Sequence, residues 1–133
     1  LDISLCAYVP EKGELYFTGA QRSIVHISNG EFNEYRGSSY PIGGWQLEEK
    51  REFPSIKLDV QEGDMLYLGS DGFQDQFGGE KGKKFNRKKL NKLFMSIYKL
   101  PLIQQKEIME STFREWKGTQ EQIDDVCVAG IRL

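Results

Sequence analysis

The 133 residues include a single histidine, His26, and only two cysteines, Cys6 and Cys127. Neither cysteine belongs to a metal or redox spacing such as C-x-x-C, which excludes a zinc ribbon or a thioredoxin-like pair. Both lie in apolar, strand-like runs, and the expectation is two buried, reduced thiols in an intracellular protein. No stretch approaches the roughly 20 apolar residues needed to cross a bilayer, and no charged-then-apolar leader opens the chain. The segment is therefore expected in the cytoplasm without membrane contact. There is no internal repeat and no low-complexity linker. The chain also lacks an initiator Met and opens on Leu1-Asp-Ile-Ser-Leu-Cys-Ala-Tyr-Val9, which already alternates like a strand. It is read as a piece from which something upstream has been removed.

What is present is ordinary for a folded chain. The composition is 38% hydrophobic, 29% charged and 12% aromatic, too apolar for a disordered segment. The length suits one domain, or a large part of one, with a core of its own. Net charge is only −2 but unevenly placed. Seven cations (Lys81, Lys83, Lys84, Arg87, Lys88, Lys89 and Lys92) face the single acid Glu80 over 80–92, leaving 11 cations and 19 anions elsewhere, a balance of −8. That run is a local anion-attracting face on an acidic body.

The first third reads as β-structure. Residues 3–9 alternate, Lys12-Gly13 turns, Glu14–Thr18 and Ser23–Ile27 are further runs, and Asn29-Gly30 is a strong hairpin signal. It pairs Ile24–Ile27 with Phe32–Tyr35. A Gly-, Ser- and Pro-rich loop follows from Gly37 to Trp45. Residues 53–60 alternate again, and Glu62-Gly63-Asp64 leads into Met65–Leu68, apolar at consecutive positions and so a buried central strand. Asn86 is placed to cap a helix whose Leu90, Leu93, Phe94 and Ile97 share one face. Pro101 suits the first turn of a second helix, Met109, Phe113 and Trp116 give its period, and Gly118 ends it. Val126–Ile131 reads as another buried strand.

The informative acids lie at the ends of the two buried strands. Asp71 follows 65–68 and Asp124 precedes 126–131, so antiparallel pairing of these strands would bring both carboxylates to one rim. Oxygen ligands with no His or Cys nearby suit Mg²⁺ or Mn²⁺ and not zinc. Asp75 shares a helical face with Asp71, and Gly72 leaves room for backbone or water to approach an ion. On an extended backbone Asp124 and Asp125 would point oppositely, so only one could face Asp71. Spacing equally allows Ser70-Asp71-Gly72 to be a helix start, with Asp75 a first-turn charge, and Asp124-Asp125 a solvated turn.

The segment Gly63-Asp-Met-Leu-Tyr-Leu-Gly-Ser-Asp-Gly-Phe-Gln-Asp-Gln-Phe77, with Gln122-Ile-Asp-Asp-Val-Cys-Val-Ala-Gly-Ile131 about fifty residues later, resembles the last two acidic motifs of the PPM phosphatases. Within them it looks closest to the bacterial SpoIIE/RsbU type. Glu14–Arg22 is similar to the family's strand and Ala/Gly turn, and Tyr40–Gly44 to its following loop. The resemblance implies an α+β fold, an antiparallel β-sandwich with flanking helices, here incomplete at its N-terminus, so that 1–133 is the C-terminal part of one such domain. It implies two divalent ions, Mn²⁺ or Mg²⁺, with Asp71 and Asp124 as metal-binding catalytic residues and Asp75 as an auxiliary acid. The implied activity is metal-dependent hydrolysis of phosphoserine or phosphothreonine in a phosphorylated regulatory protein, in bacterial signal transduction and downstream of a sensor domain. The family's further metal-binding aspartate comes from an upstream Gly-Asp-x-x-Gly-His-Gly-like segment not found in these residues; the chain is read as a fragment, with a degenerate relative as the alternative, and this piece alone is expected to be inactive.

Other features carry less. His26 on a strand reads as structural, and Arg22 is a minor candidate for contacting phosphate. The cation run is either a solvated helix start or a flap attracting an acidic phosphoprotein. A nucleic-acid role is disfavoured, because no aromatics besides Phe85 are interleaved with the cations for base stacking. The remaining rival is a non-catalytic interaction module of the same fold.

Overall fold

A computed structural model describes residues 1–133, which fall into two compact units: Leu1–Leu68 with Ile131–Leu133, and Gly69–Gly130.

The first unit holds the sheets. Strands β1 (Ile3–Val9) and β2 (Glu14–Ala20) form a hairpin closed at Gly13, and β5 (Ile56–Asp59) pairs with the other edge of β2, all antiparallel. Strands β3 (Ser23–Ser28) and β4 (Glu31–Arg36) pair as expected, with Asn29 and Gly30 at φ 49 and 80. Both positive angles are what the Asn-Gly dipeptide supplies at lowest steric cost. Strand β6 (Met65–Gly69) pairs antiparallel with β3, Val25 opposite Tyr67 and Ile27 opposite Met65. The sheet order is β4-β3-β6-β9, with β9 at Val128–Arg132.

Leu15, Phe17, Ile24, Leu58, Val60 and Leu66 form a cluster drawn from both sheets, which makes this unit a sandwich. Alternation selects the members on β2: Leu15 and Phe17 are buried while Tyr16 between them is exposed. Burial stabilises each such side chain by about 1.5–3 kcal/mol.

Two expectations fail at β9. The strand starts at Val128, later than expected, and most of it is exposed. It stands last in the sheet order, so only one side meets a neighbour, and an apolar composition does not by itself distinguish an edge strand from a central one. For the same reason Cys127 is exposed, whereas Cys6 is half-buried and burial pushes its thiol pKa up.

The second unit is helical. It begins with the short α1 (Gly72–Asp75), continues through a tight hairpin of β7 (Phe77–Gly78) and β8 (Lys83–Lys84), and ends in α2 (Arg87–Ile97) and α3 (Leu102–Lys117). Asn86 caps α2 as read, its side-chain oxygen accepting the Lys89 amide at 3.0 Å. Pro101 stands one place before α3, as its cap, and its carbonyl accepts the Gln105 amide at 3.0 Å. The Gln105 side chain, 3% exposed, donates to the Tyr98 and Leu100 carbonyls, serving backbone groups that the end of α2 leaves over. Phe73 packs against Phe85 and Phe113 with ring centroids 5.1 Å apart, and Phe85 meets Trp116 at 5.3 Å. This aromatic core fixes α1, and with it the residue before it, Asp71. No helix is long and apolar enough to cross a membrane.

Candidate functional site

The antiparallel run of β6 and β9 can be followed at both ends. Gly63 and Asp64 exchange backbone hydrogen bonds with Leu133, at 2.7 and 2.9 Å, and beyond the other end the Ser70 amide donates to the Cys127 carbonyl at 2.9 Å. As one partner's number rises the other's falls, so the end of β6 and the approach to β9 share a rim, as the sequence argument required. Asp71 follows the first and Asp124 precedes the second.

Ser70 extends this pairing with its side chain. Its hydroxyl accepts the Cys127 amide at 3.0 Å and donates to the Asp125 carbonyl at 2.7 Å. Gly72 makes the close approach possible, because a Cβ there would run into the Asp125 carbonyl oxygen and stand 2.9 Å from its carbon. The room expected beside Gly72 is thus taken by the Asp125 backbone. A second clamp lies upstream: Gln76, 1% exposed, donates to the Glu121 carbonyl at 2.9 Å and to Phe77 at 3.0 Å, while its own carbonyl accepts the Trp116 indole and the Phe85 amide. Residues 121–125 are therefore held at both ends. Neither Ser70 nor Gln76 was singled out from sequence. The only signal was a hydroxyl and an amide within five residues of Asp71.

Asp71 occupies the cap position of α1 without a side-chain bond to the helix backbone, so its carboxylate is not spent on capping, and it is half-buried. Asp75 is the last residue of α1 and pairs with Lys84 at 3.2 Å. Asp124 is exposed at a bend, where its Oδ1 accepts the Asp125 amide at 2.8 Å and its carbonyl accepts the Gln122 side chain. The bend corrects the expectation of extended backbone here, and the alternation argument for a single inward carboxylate loses its basis. The two other candidates lie in the sandwich. Arg22 pairs with Asp2 at 3.4 Å, and His26, 5% exposed, is bonded through Nε2 to Asp64 at 2.7 Å.

The rim's donors fit a hard divalent ion in kind, since they are carboxylates with no imidazole among them. They fall short in number. No group of three or more His, Cys, Asp or Glu side chains gathers to hold an ion.

Residues 2–133 match the family model described as stage II sporulation protein E (SpoIIE). Comparison with curated protein sequences finds no match. Among solved structures, the chain is similar to the SiaA-PP2C domain of Pseudomonas aeruginosa, at TM-score 0.82 and 29% identity, over 92% of this chain and 47% of that one. It is also similar to the PP2C phosphatase domain, with a fragment of the regulatory domain, of SpoIIE from Bacillus subtilis, at TM-score 0.75 and 15% identity over 99% and 37%. A manganese-presoaked form of the SpoIIE phosphatase domain from that organism matches at TM-score 0.69 and 11% identity over 99% and 56%. The mixed helices and antiparallel sheets are those of the PPM phosphatase fold. The chain spans about half the length of the solved structures it matches.

Proposed function

The chain belongs to the SpoIIE family, and from that premise we propose that it is the C-terminal part of a metal-dependent phosphatase domain acting on phosphoserine or phosphothreonine in a phosphorylated bacterial regulatory protein. One observation carries the reading: the Ser70-clamped pairing brings the Asp71 and Asp124 segments to one rim. In this reading Asp71 and Asp124 would hold Mn²⁺ or Mg²⁺, Asp75 would serve once released from Lys84, and a further ligand would come from residues outside this chain. Held there, such ions would supply a water of lowered pKa and charge to neutralise phosphoryl oxygens. The chain's own contribution is to fix two carboxylates on clamped backbone. Cytoplasmic location and a sensor domain upstream belong to the same proposal.

The experiment uses a protein carrying the complete domain and follows Mn²⁺-dependent hydrolysis of a phosphoserine peptide. Asp124→Asn keeps the oxygen that accepts the Asp125 amide but loses the charge, and activity should fall by about a hundredfold or more. Asp125→Asn should cost less than about tenfold, because the bonds seen at Asp125 are made by its backbone. A larger loss at Asp125 would reverse the assignment. Absence of any Mn²⁺-dependent turnover would favour a non-catalytic module of the same fold.

A further inference from the structure

Residues 81–106 contain nine of the eighteen cations and none of the twenty acids, leaving nine cations against twenty acids elsewhere, a balance of −11. The placement works against the fold's own stability. Arg87, Lys88 and Lys89 fill the first turn of α2, which has no acid there, and cations oppose the positive end of the helix dipole. Lys88 and Lys92 are one turn apart, a like-charge spacing that destabilises a helix. Five of the nine are engaged within the protein: Arg87 donates to the Gln74 side chain at 3.3 Å and Lys99 lies over the Tyr98 ring, beside the three that follow. Lys84 faces Asp75, Lys106 faces Glu110, and Lys89 lies 3.8 Å over the Trp116 ring. Lys81, Lys83, Lys88 and Lys92 stand exposed with no carboxylate partner. All of these residues belong to the second compact unit.

We propose that the face built by the β7–β8 hairpin and α2 is a docking surface for an acidic segment of a partner protein. Charge complementarity of this kind speeds encounter and fixes register. The aromatics decide against nucleic acid. Phe85 and Phe94 are buried, Trp116 is covered by Lys89, and the exposed Phe77 of β7 has Lys84 over its ring at 5.8 Å, so successive bases find no continuous stacking platform. The surface does not depend on any hydrolytic step, so it goes beyond the phosphatase reading and stands or falls separately.

The test is fluorescence anisotropy of the chain with a short labelled peptide of alternating Glu and Gly, alongside a Ser/Gly peptide, a single-stranded oligonucleotide and phosphatidylserine vesicles. The acidic peptide should bind saturably and weaken between about 50 and about 200 mM salt. Combined Lys83→Glu, Lys88→Glu and Lys92→Glu should weaken it by about tenfold or more, with the Gln versions intermediate and circular dichroism unchanged. Lys12→Glu with Lys50→Glu, outside the face, should leave it unaffected. No binding, binding indifferent to the three substitutions, or tighter binding of the oligonucleotide or the vesicles would overturn the proposal.

Discussion

Asp64 shows what a single buried charge requires. Burial pushes its pKa up, but hydrogen bonds from Ser28, His26 and the Gln61 amide outweigh that and hold the carboxyl below its ordinary value. A carboxylate lowered in the folded state contributes stability above its unfolded pKa, about 3.9, and that contribution is lost as pH falls through the folded value. Denaturant midpoints should therefore be flat near neutrality and drop below about pH 4. Asp64→Ala should cost about 2–3 kcal/mol at neutral pH and flatten part of the acid limb, because His26 is left buried beside no acceptor. An acid limb identical in the variant would remove Asp64 from the account. This pairing engages Nε2 of the lone histidine within the sandwich, in keeping with a structural role. The sequence argument reached that conclusion from strand context alone, without seeing Asp64, since nothing local links positions 26 and 64.

At the level of elements, the strand-to-helix junction after β6 carries the candidate site. Ser70→Ala would remove the partner of the Cys127 amide and of the Asp125 carbonyl; both bonds are exposed, so water can replace the hydroxyl and the cost should be about 0.5–1.5 kcal/mol. Gly72→Ala should cost more, because the Asp125 backbone has to move. Hydrogen exchange at the Cys127 amide should speed up in Ser70→Ala, and unchanged exchange there would mean that Ser70 is not the clamp. Elements with their own local grammar were legible in advance: the Asn29-Gly30 hairpin, the Asn86 cap, and the apolar face of α2. What was not legible depends on contacts distant in sequence. β9 is an edge because of sheet order. The loop after Gly37 is braced by Arg51, which donates to the Pro41, Gly43 and Trp45 carbonyls, and no spacing rule announces such a brace.

Taken whole, the molecule offers two metal-binding candidates at one rim and a third, Asp75, engaged by Lys84. Hard divalent ions need several oxygens, with carboxylates supplying the charge. Residues 1–133 alone should therefore show no Mn²⁺-dependent hydrolysis of an aryl phosphate or a phosphoserine peptide. Robust turnover lost on Asp71→Ala would show that a residue in this chain completes the ligand set. The pairing behind that rim has a temporal side as well. The β1–β2 and β3–β4 hairpins close through turns of a few residues, whereas Ser70 meets Cys127 across 57 residues. Long closures cost more entropy and follow once local structure has shortened the effective path. The acid rim is thus expected to form after the hairpins as the chain folds, and pulse-labelled hydrogen exchange should protect the amides of β3 and β4 before that of Cys127.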